Sequence, residues 1–375
     1  MIADSNSDQN ICVVTRPSSE LSYATPIYRF GRILSPAANN LYLITGSYIA
    51  SHSPEYFDRI TDIGKYGNIG IRYIGFLTMQ IKISLAIVST RESVDLVYFH
   101  KGAMGMALPV IVARVVGIDT CVIKIGAYAD ERAEDPGVVD RLYTWLQLLS
   151  FRVAHSAVVF TPSECTSVPN TNTFVAYSNY RDFNTFCIEK NMDQRSVDIG
   201  FVGRFDEDKG VDMAIKAVVS IAEKNPDLSV RMIGDGPLYD FVEKKANKYD
   251  NIQLTGWVEH DEISEYYKDI RILLAPSRAE GLPTTLIEAM GCGVIVVTTP
   301  VGGVFDLIKD GGTGFILSEF SVREITSTLE KIQDKEQLEE ISKKARGSVS
   351  DKYTHQAAIE RFEIINRRIA GYYDR

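Results

Sequence analysis

The sequence predicts an α/β protein made of two doubly wound domains. Three observations lead there. Short apolar runs alternate with longer helical patterns. That alternation stops at a polar stretch near the middle of the chain and then starts afresh. The 375 residues are enough for two domains at roughly 100–200 residues each.

In the first series, residues 11–15, 41–45, 94–99, 120–125 and 157–160 are short apolar runs, as expected for strands buried on both faces of a parallel sheet. Helical periodicity in residues 76–90, 104–116 and 138–153 supplies crossovers between them. Residues 167–193 are polar and rich in Asn and Thr, so the domain boundary belongs there. The domains are expected at 1–185 and 186–375. The second series has strands at 197–202, 228–233, 251–254, 271–274 and 294–297, with helices at 211–223 and 238–248. Residues 322–375 read as charged amphipathic helices. Ligands of such sheets bind at the carboxyl ends of the strands, and two domains of this kind facing each other leave a cleft.

Composition narrows the function classes. Hydrophobic residues make up 45% and charged residues 24%, which excludes disordered and fibrous classes. The most apolar stretches, 102–113, 142–151 and 289–305, are shorter than the roughly 18 residues of a membrane span or are broken by Gly, Thr and Pro. No basic-then-apolar leader opens the chain, so a cytoplasmic location is expected. The net charge of −9 argues against a general nucleic-acid binder. Charge is uneven: residues 1–185 sum to −1 and the remainder to −8, so the first half can approach an anionic surface more easily. The five cysteines (Cys12, Cys121, Cys165, Cys187 and Cys292) are scattered, with no CxxC or metal-ligand spacing, and read as reduced thiols.

Four strand-to-helix turns carry the chemistry. In Gly200-Phe201-Val202-Gly203-Arg204-Phe205, followed by Lys209-Gly210, Gly203 lets backbone approach a ligand. Two cations beside a helix N-terminus suit a diphosphate, although solvated loop charges would look the same. Asp206-Glu207-Asp208 can hold a divalent cation or, as is more usual at a helix start, cap it. Gly234-Asp235-Gly236-Pro237 is a tight turn but not a GxGxxG fingerprint, and no Walker A sequence occurs. The most informative run is Ser277 to Gly291. Its helix begins near Pro283, with free N–H groups suited to phosphate. Glu280 stands in the loop and Glu288 inside the helix, and each carboxylate can grip a vicinal diol. The apolar neighbours of Glu288 argue against a solvated position. Thr298-Thr299-Pro300-Val301-Gly302-Gly303 permits another close backbone approach, or is simply a flexible turn.

Taken in order and spacing, the motifs of residues 197–317 resemble the nucleotide-sugar-binding domain of family 4 glycosyltransferases, down to paired glutamates eight positions apart. The resemblance implies the GT-B fold, two Rossmann-like domains across a cleft, with the last helix crossing back to the first domain. It implies a retaining transferase that moves a hexose or N-acetylhexosamine from a UDP-, GDP- or ADP-sugar to a glycan or lipid-linked acceptor, without metal. Arg204 and Lys209 match the pair that holds the donor diphosphate, and Glu280 matches the acid facing the donor sugar. Gly203 and Gly234 match donor-site glycines. Gly281, Leu282, Pro283 and Thr284 match the turn that receives phosphate and sugar oxygens. Glu288 matches the residue that binds the ribose, and Trp257 and Val258 fall where backbone meets the base.

The first half resembles the family less. Asn179-Tyr180-Arg181-Asp182 is similar to an interdomain Asn-Gly-x-Asp element, with Tyr180 in place of glycine. Ser18-Ser19-Glu20 stands where relatives carry a Gly-Gly loop. Lys124-Ile125-Gly126-Ala127 stands where many carry a His. His100 and Lys101 are the candidates on the acceptor side. A GT-B nucleotide-sugar epimerase and a non-catalytic nucleotide-sugar-binding protein are the alternative readings. Residues 69–89 and 142–151, the latter with Trp145, either pack against the first sheet or lie on a bilayer as a peripheral contact.

Overall fold

The computed structural model describes residues 9–17, 21–64, 72–100, 105–124, 137–170, 172–177, 179–332 and 335–371. The chain forms two compact units, one of residues 1–178 with 355–375 and the other of residues 179–354.

The first unit runs β1 (Asn10–Val14), α1 (Leu21–Leu34), β2 (Asn40–Thr45), α2 (Ser47–Ser51), β3 (Arg59–Asp62), α3 (Arg72–Thr90) and β4 (Leu96–Phe99). It continues through α4 (Ala107–Val115), β5 (Asp119–Ile123), α5 (Val138–Val153), β6 (Ser156–Val159) and β7 (Thr173–Val175). All seven strands pair in parallel in the order β3-β2-β1-β4-β5-β6-β7. Parallel pairing requires crossovers, which puts helices on the sheet's faces and buries the central strands completely. Val13, Val97, Val122 and Ala157 have no exposed surface. Helices α3, α4 and α5 lie side by side, and the core beneath them joins Met79, Ile83, Val110 and Phe151 to strand residues Val14, Phe99 and Val122.

The second unit runs β8 (Val197–Val202), α6 (Val211–Ala222), β9 (Val230–Ile233), α7 (Tyr239–Ala246), β10 (Ile252–Gly256), α8 (Ile263–Asp269) and β11 (Ile270–Ala275). Then come α9 (Thr284–Gly291), β12 (Ile295–Thr298), α10 (Val304–Leu307), β13 (Phe315–Ile316), α11 (Val322–Lys331) and α12 (Lys335–Ser350). Its six parallel strands take the order β10-β9-β8-β11-β12-β13. Both sheets reverse winding beside their first strand, at β1/β4 and at β8/β11. A doubly wound sheet opens its ligand crevice at such a reversal. The last helix, α13 (His355–Ile369), belongs to the first unit, where Phe362 meets Phe30 and Tyr98, and the Tyr98 hydroxyl donates to Asn366 Oδ1 at 2.6 Å.

The expected strands and helices are present within a few residues. Sequence reading passed over β3, an exposed edge strand of Arg-Ile-Thr-Asp, and β7, which lies inside the polar stretch. It also passed over the two-residue β13. β3 is mostly polar, β7 opens on Thr within polar sequence, and β13 is too short to stand out as a strand.

Candidate functional site

The reversal at β8/β11 decides which side chains meet. The loop after β8 carries Gly203 to Gly210, and the loop after β11 carries Pro276 to Pro283. Both leave the carboxyl edge of adjacent strands, so Lys209 and Glu280 converge although 71 positions separate them. Lys209 Nζ bonds Glu280 Oε1, and the Ser277 hydroxyl donates to the same oxygen at 3.1 Å. Glu280 is mostly buried, while a third of the Lys209 side chain is open to solvent. A half-exposed lysine on a buried carboxylate is a cation that an incoming anion can recruit.

Backbone hydrogen bonds hold the two loops together. The Arg278 N–H donates to the Asp208 carbonyl at 2.7 Å. Arg278 also grips Asp212 with both terminal nitrogens, at 2.9 and 3.0 Å, and stacks on Phe320. Asp206 Oδ1 accepts from the Lys209 N–H at 2.9 Å and its Oδ2 pairs with Arg204 Nε at 2.8 Å. Asp206 therefore closes its own turn, as a capping residue does. Arg204 stands on the same loop with its side chain two-thirds exposed. Among the described residues there is no cluster of three His, Cys, Asp or Glu able to hold a metal.

The site floor is backbone against backbone. Gly234 has φ +140°, and a Cβ there would sit 1.9 Å from the Gly203 carbonyl oxygen. Gly302 has φ +53°, and its Cβ would fall 2.1 Å from the Glu280 carbonyl oxygen. The Gly303 N–H donates to the Gly281 carbonyl at 2.8 Å. Glycine is required at both positive-φ positions for the turns and for this close approach. On the open side, nothing lies within 4 Å of where a Gly281 Cβ would be. Leu282 and Thr284 are half-buried and Pro283 is buried, and no side chain caps the start of α9. Its first N–H groups are therefore left without a side-chain cap.

Glu288 sits one turn further into α9 and is 3% exposed. Arg181 Nε donates to its Oε1 at 2.6 Å, and His260 Nε2 stands 3.8 Å from the same oxygen. Both partners of this ion pair are buried. Burial, with the Glu288 charge beside it, holds the Tyr267 phenol well above its ordinary range. Val258 is half-buried after β10, and Trp257 is exposed with its indole N–H on Glu259.

The structure thus brings Lys209 and Glu280 into contact, packs Gly203 on Gly234, and sets Gly281 on the Gly302-Gly303 turn. It keeps Arg204 on Asp206 and Glu288 on Arg181. In the first unit, His100 ends β4, is buried, and stacks on Phe30 at 4.7 Å. Lys101, Ser18 to Glu20 and residues 125–127 lie outside the described residues. Sequence reading gave no role to Arg181, Ser277 or the Arg278–Asp212 pair. Lys124, which stands in the segment where many relatives carry a His, is buried just after β5 and lies 3.3 Å from Glu164, a pairing the sequence did not reveal. Ser277 was legible from its place three residues before Glu280. Arg181 was not, because its partner lies 107 residues away.

Residues 184–348 match the family model "Glycosyl transferases group 1". An uncharacterized glycosyltransferase of Methanocaldococcus jannaschii is 31% identical over 140 residues, 37% of this chain and 38% of that protein. The sulfoquinovosyl transferase of Arabidopsis thaliana is 30% identical over 152 residues, 40% of this chain and 30% of that protein. These alignments therefore span well under half of either relative. The structure of Anabaena HepE in complex with UDP superposes with a TM-score of 0.73 at 16% identity, covering 97% of this chain and 99% of that one. The fold likeness is thus chain-wide, while the sequence likeness centres on the unit that holds Lys209, Glu280 and Glu288. Residues 184–348 thus carry the likeness to the glycosyl transferases group 1 family, and the chain as a whole has the GT-B fold.

Proposed function

We propose that the protein is a retaining glycosyltransferase that moves a hexose or N-acetylhexosamine from a nucleoside-diphosphate sugar to a glycan or lipid-linked acceptor. The observation that carries this reading is the Lys209–Glu280 contact beside the uncapped start of α9. Cation, carboxylate and free N–H groups are the three things a sugar diphosphate needs. The diphosphate would draw Lys209 Nζ and the exposed Arg204 guanidinium onto its oxygens, with the α9 N–H groups on the other side. Glu280, relieved of Lys209, would orient the sugar hydroxyls while Ser277 keeps its carboxylate in place. As the glycosidic carbon–oxygen bond breaks, negative charge grows on the leaving phosphate. These fixed positive groups stabilise it there without reorganising.

Asp206 is already engaged as a turn cap, and Arg204 with Lys209 supplies the charge that a metal would otherwise bring. We therefore expect transfer without metal. Uridine diphosphate is the first nucleotide to test, since HepE, which shares the fold, was solved with it. Glu288 is proposed to meet the ribose and Val258 the base. A cytoplasmic setting, where nucleotide sugars are made, fits the reading.

Lys209→Ala and Glu280→Ala should each lower turnover by about 10²–10³-fold. Wild-type melting temperature should persist in the absence of ligand. Nucleoside diphosphate should stabilise the wild type, by about 2.7 kcal/mol at a hundredfold excess over its dissociation constant, and stabilise Lys209→Ala far less. Near-normal turnover in either variant would sink the assignment.

A further inference from the structure

One helical layer of the first unit carries apolar side chains on its outer face as well as its inner one. On α3, Leu77, Ile81, Leu85 and Val88 repeat at helical spacing and are all exposed, Leu85 by 65%. The buried side of that helix holds apolar Met79, Ile83 and Ile87 together with polar Gln80, Ser84 and Thr90. They bond to helix backbone: Ser84 to the Gln80 carbonyl, Thr90 to the Ile87 carbonyl, and Gln80 Oε1 to the Leu108 N–H. Helix α5 does the same, with Thr144, Gln147 and Ser150 inside and Leu142 and Trp145 outside, Trp145 by 55%. Phe76 meets Tyr143 at 5.8 Å, which ties the two helices together next to Leu77 and Leu142. Scattered exposed apolar residues need no explanation. Here, however, nine of the fourteen large exposed hydrophobic side chains among the described residues fall on α3, α4 and α5. Exposed apolar side chains gathered on neighbouring helices in this way mark an interaction surface.

Charge selects the occupant. The described side chains of these three helices include Lys82, Arg114, Arg141 and Arg152 against the single acid Asp140, in a chain whose net charge is −9. Lys82 and Arg141 are exposed, next in sequence to Ile81 and Leu142. A second copy docked face to face would oppose two positive layers. An anionic lipid surface satisfies both features, since apolar side chains enter the acyl boundary while cations meet headgroups. No helix among the described residues is long and apolar enough to cross a membrane, so the contact is a resting one. We infer that the α3–α5 layer seats the protein on an anionic bilayer surface.

This inference does not depend on the proposed reaction, and flotation tests it without any substrate. The full chain should co-float with phosphatidylcholine–phosphatidylglycerol vesicles, release with added salt, and ignore pure phosphatidylcholine. The double variant Leu85→Gln, Trp145→Gln should keep its melting temperature and partition about tenfold more weakly. In Trp257→Phe, Trp145 is the sole tryptophan, and its emission should shift to the blue on anionic vesicles. Absence of flotation, equal flotation of the double variant, or a dimer that the double variant abolishes without any vesicle binding would each overturn the proposal.

Discussion

Arg181 and Glu288 form an ion pair that solvent hardly reaches, with side chains 6% and 4% exposed. Removing one member leaves a charge in a poor dielectric with nothing to balance it, which costs about 3–5 kcal/mol. Arg181→Met should therefore destabilise the second unit by that amount in urea unfolding. Arg181→Met combined with Glu288→Gln should recover most of it, because neither charge remains. If the double variant is no more stable than the single, the ion pair is not what Arg181 contributes. The pair has a functional side as well. Arg181 occupies Glu288 Oε1, so a ribose bound by this residue would be held by an oxygen whose position Arg181 fixes. Tyr180 beside it stands where relatives have glycine, yet it is not among the positive-φ residues, so the turn accepts a side chain.

The elements that matter are two adjacent strands and the loops leaving their carboxyl ends. Those loops were legible because they need glycine. Gly203, Gly234 and Gly302 stand at positive φ in strand-to-helix turns, and a backbone that folds back on itself leaves its mark in residue type. Strands buried on both faces were equally legible as apolar runs. What escaped was set by tertiary packing. β3 and β7 pair at the first sheet's two edges, where burial no longer dictates an apolar sequence. The outward face of α3 was not decidable either, since an apolar helix reads alike whether it meets a sheet or water. The tightest loop contact yields a test. Gly234→Ala forces a methyl group into the Gly203 carbonyl oxygen at a left-handed φ, and should cost on the order of 1–3 kcal/mol or more. Gly256→Ala shares a positive φ but meets nothing within 4 Å, so it should cost the backbone strain alone, about 1–2 kcal/mol. Equal losses in thermal unfolding would mean that backbone strain, and not the Gly203–Gly234 contact, governs this turn.

At the scale of the molecule, the chain visits the first unit twice. Residues 1–178 build its sheet, residues 179–354 build the other unit, and α13 returns to finish the first. That return is not decorative. Phe362 has no exposed surface, and Ile359 and Ile365 are buried with it. Together they remove enough apolar area to contribute roughly 5–8 kcal/mol. Asn366 gives the buried Tyr98 hydroxyl its acceptor, 268 positions away. A chain ending at Thr354 keeps every residue of the second unit but uncovers Phe30 and Tyr98 in the first. Its thermal unfolding should therefore split: an early transition for the first unit, and a later one near the wild-type position. If the donor nucleotide binds as proposed, adding it should raise only the later transition, because Lys209, Glu280 and the start of α9 are untouched. A single transition at the wild-type temperature would show that α13 contributes little. A single early one would show that the second unit cannot stand without the first, and that the two units, separate in their cores, unfold as one.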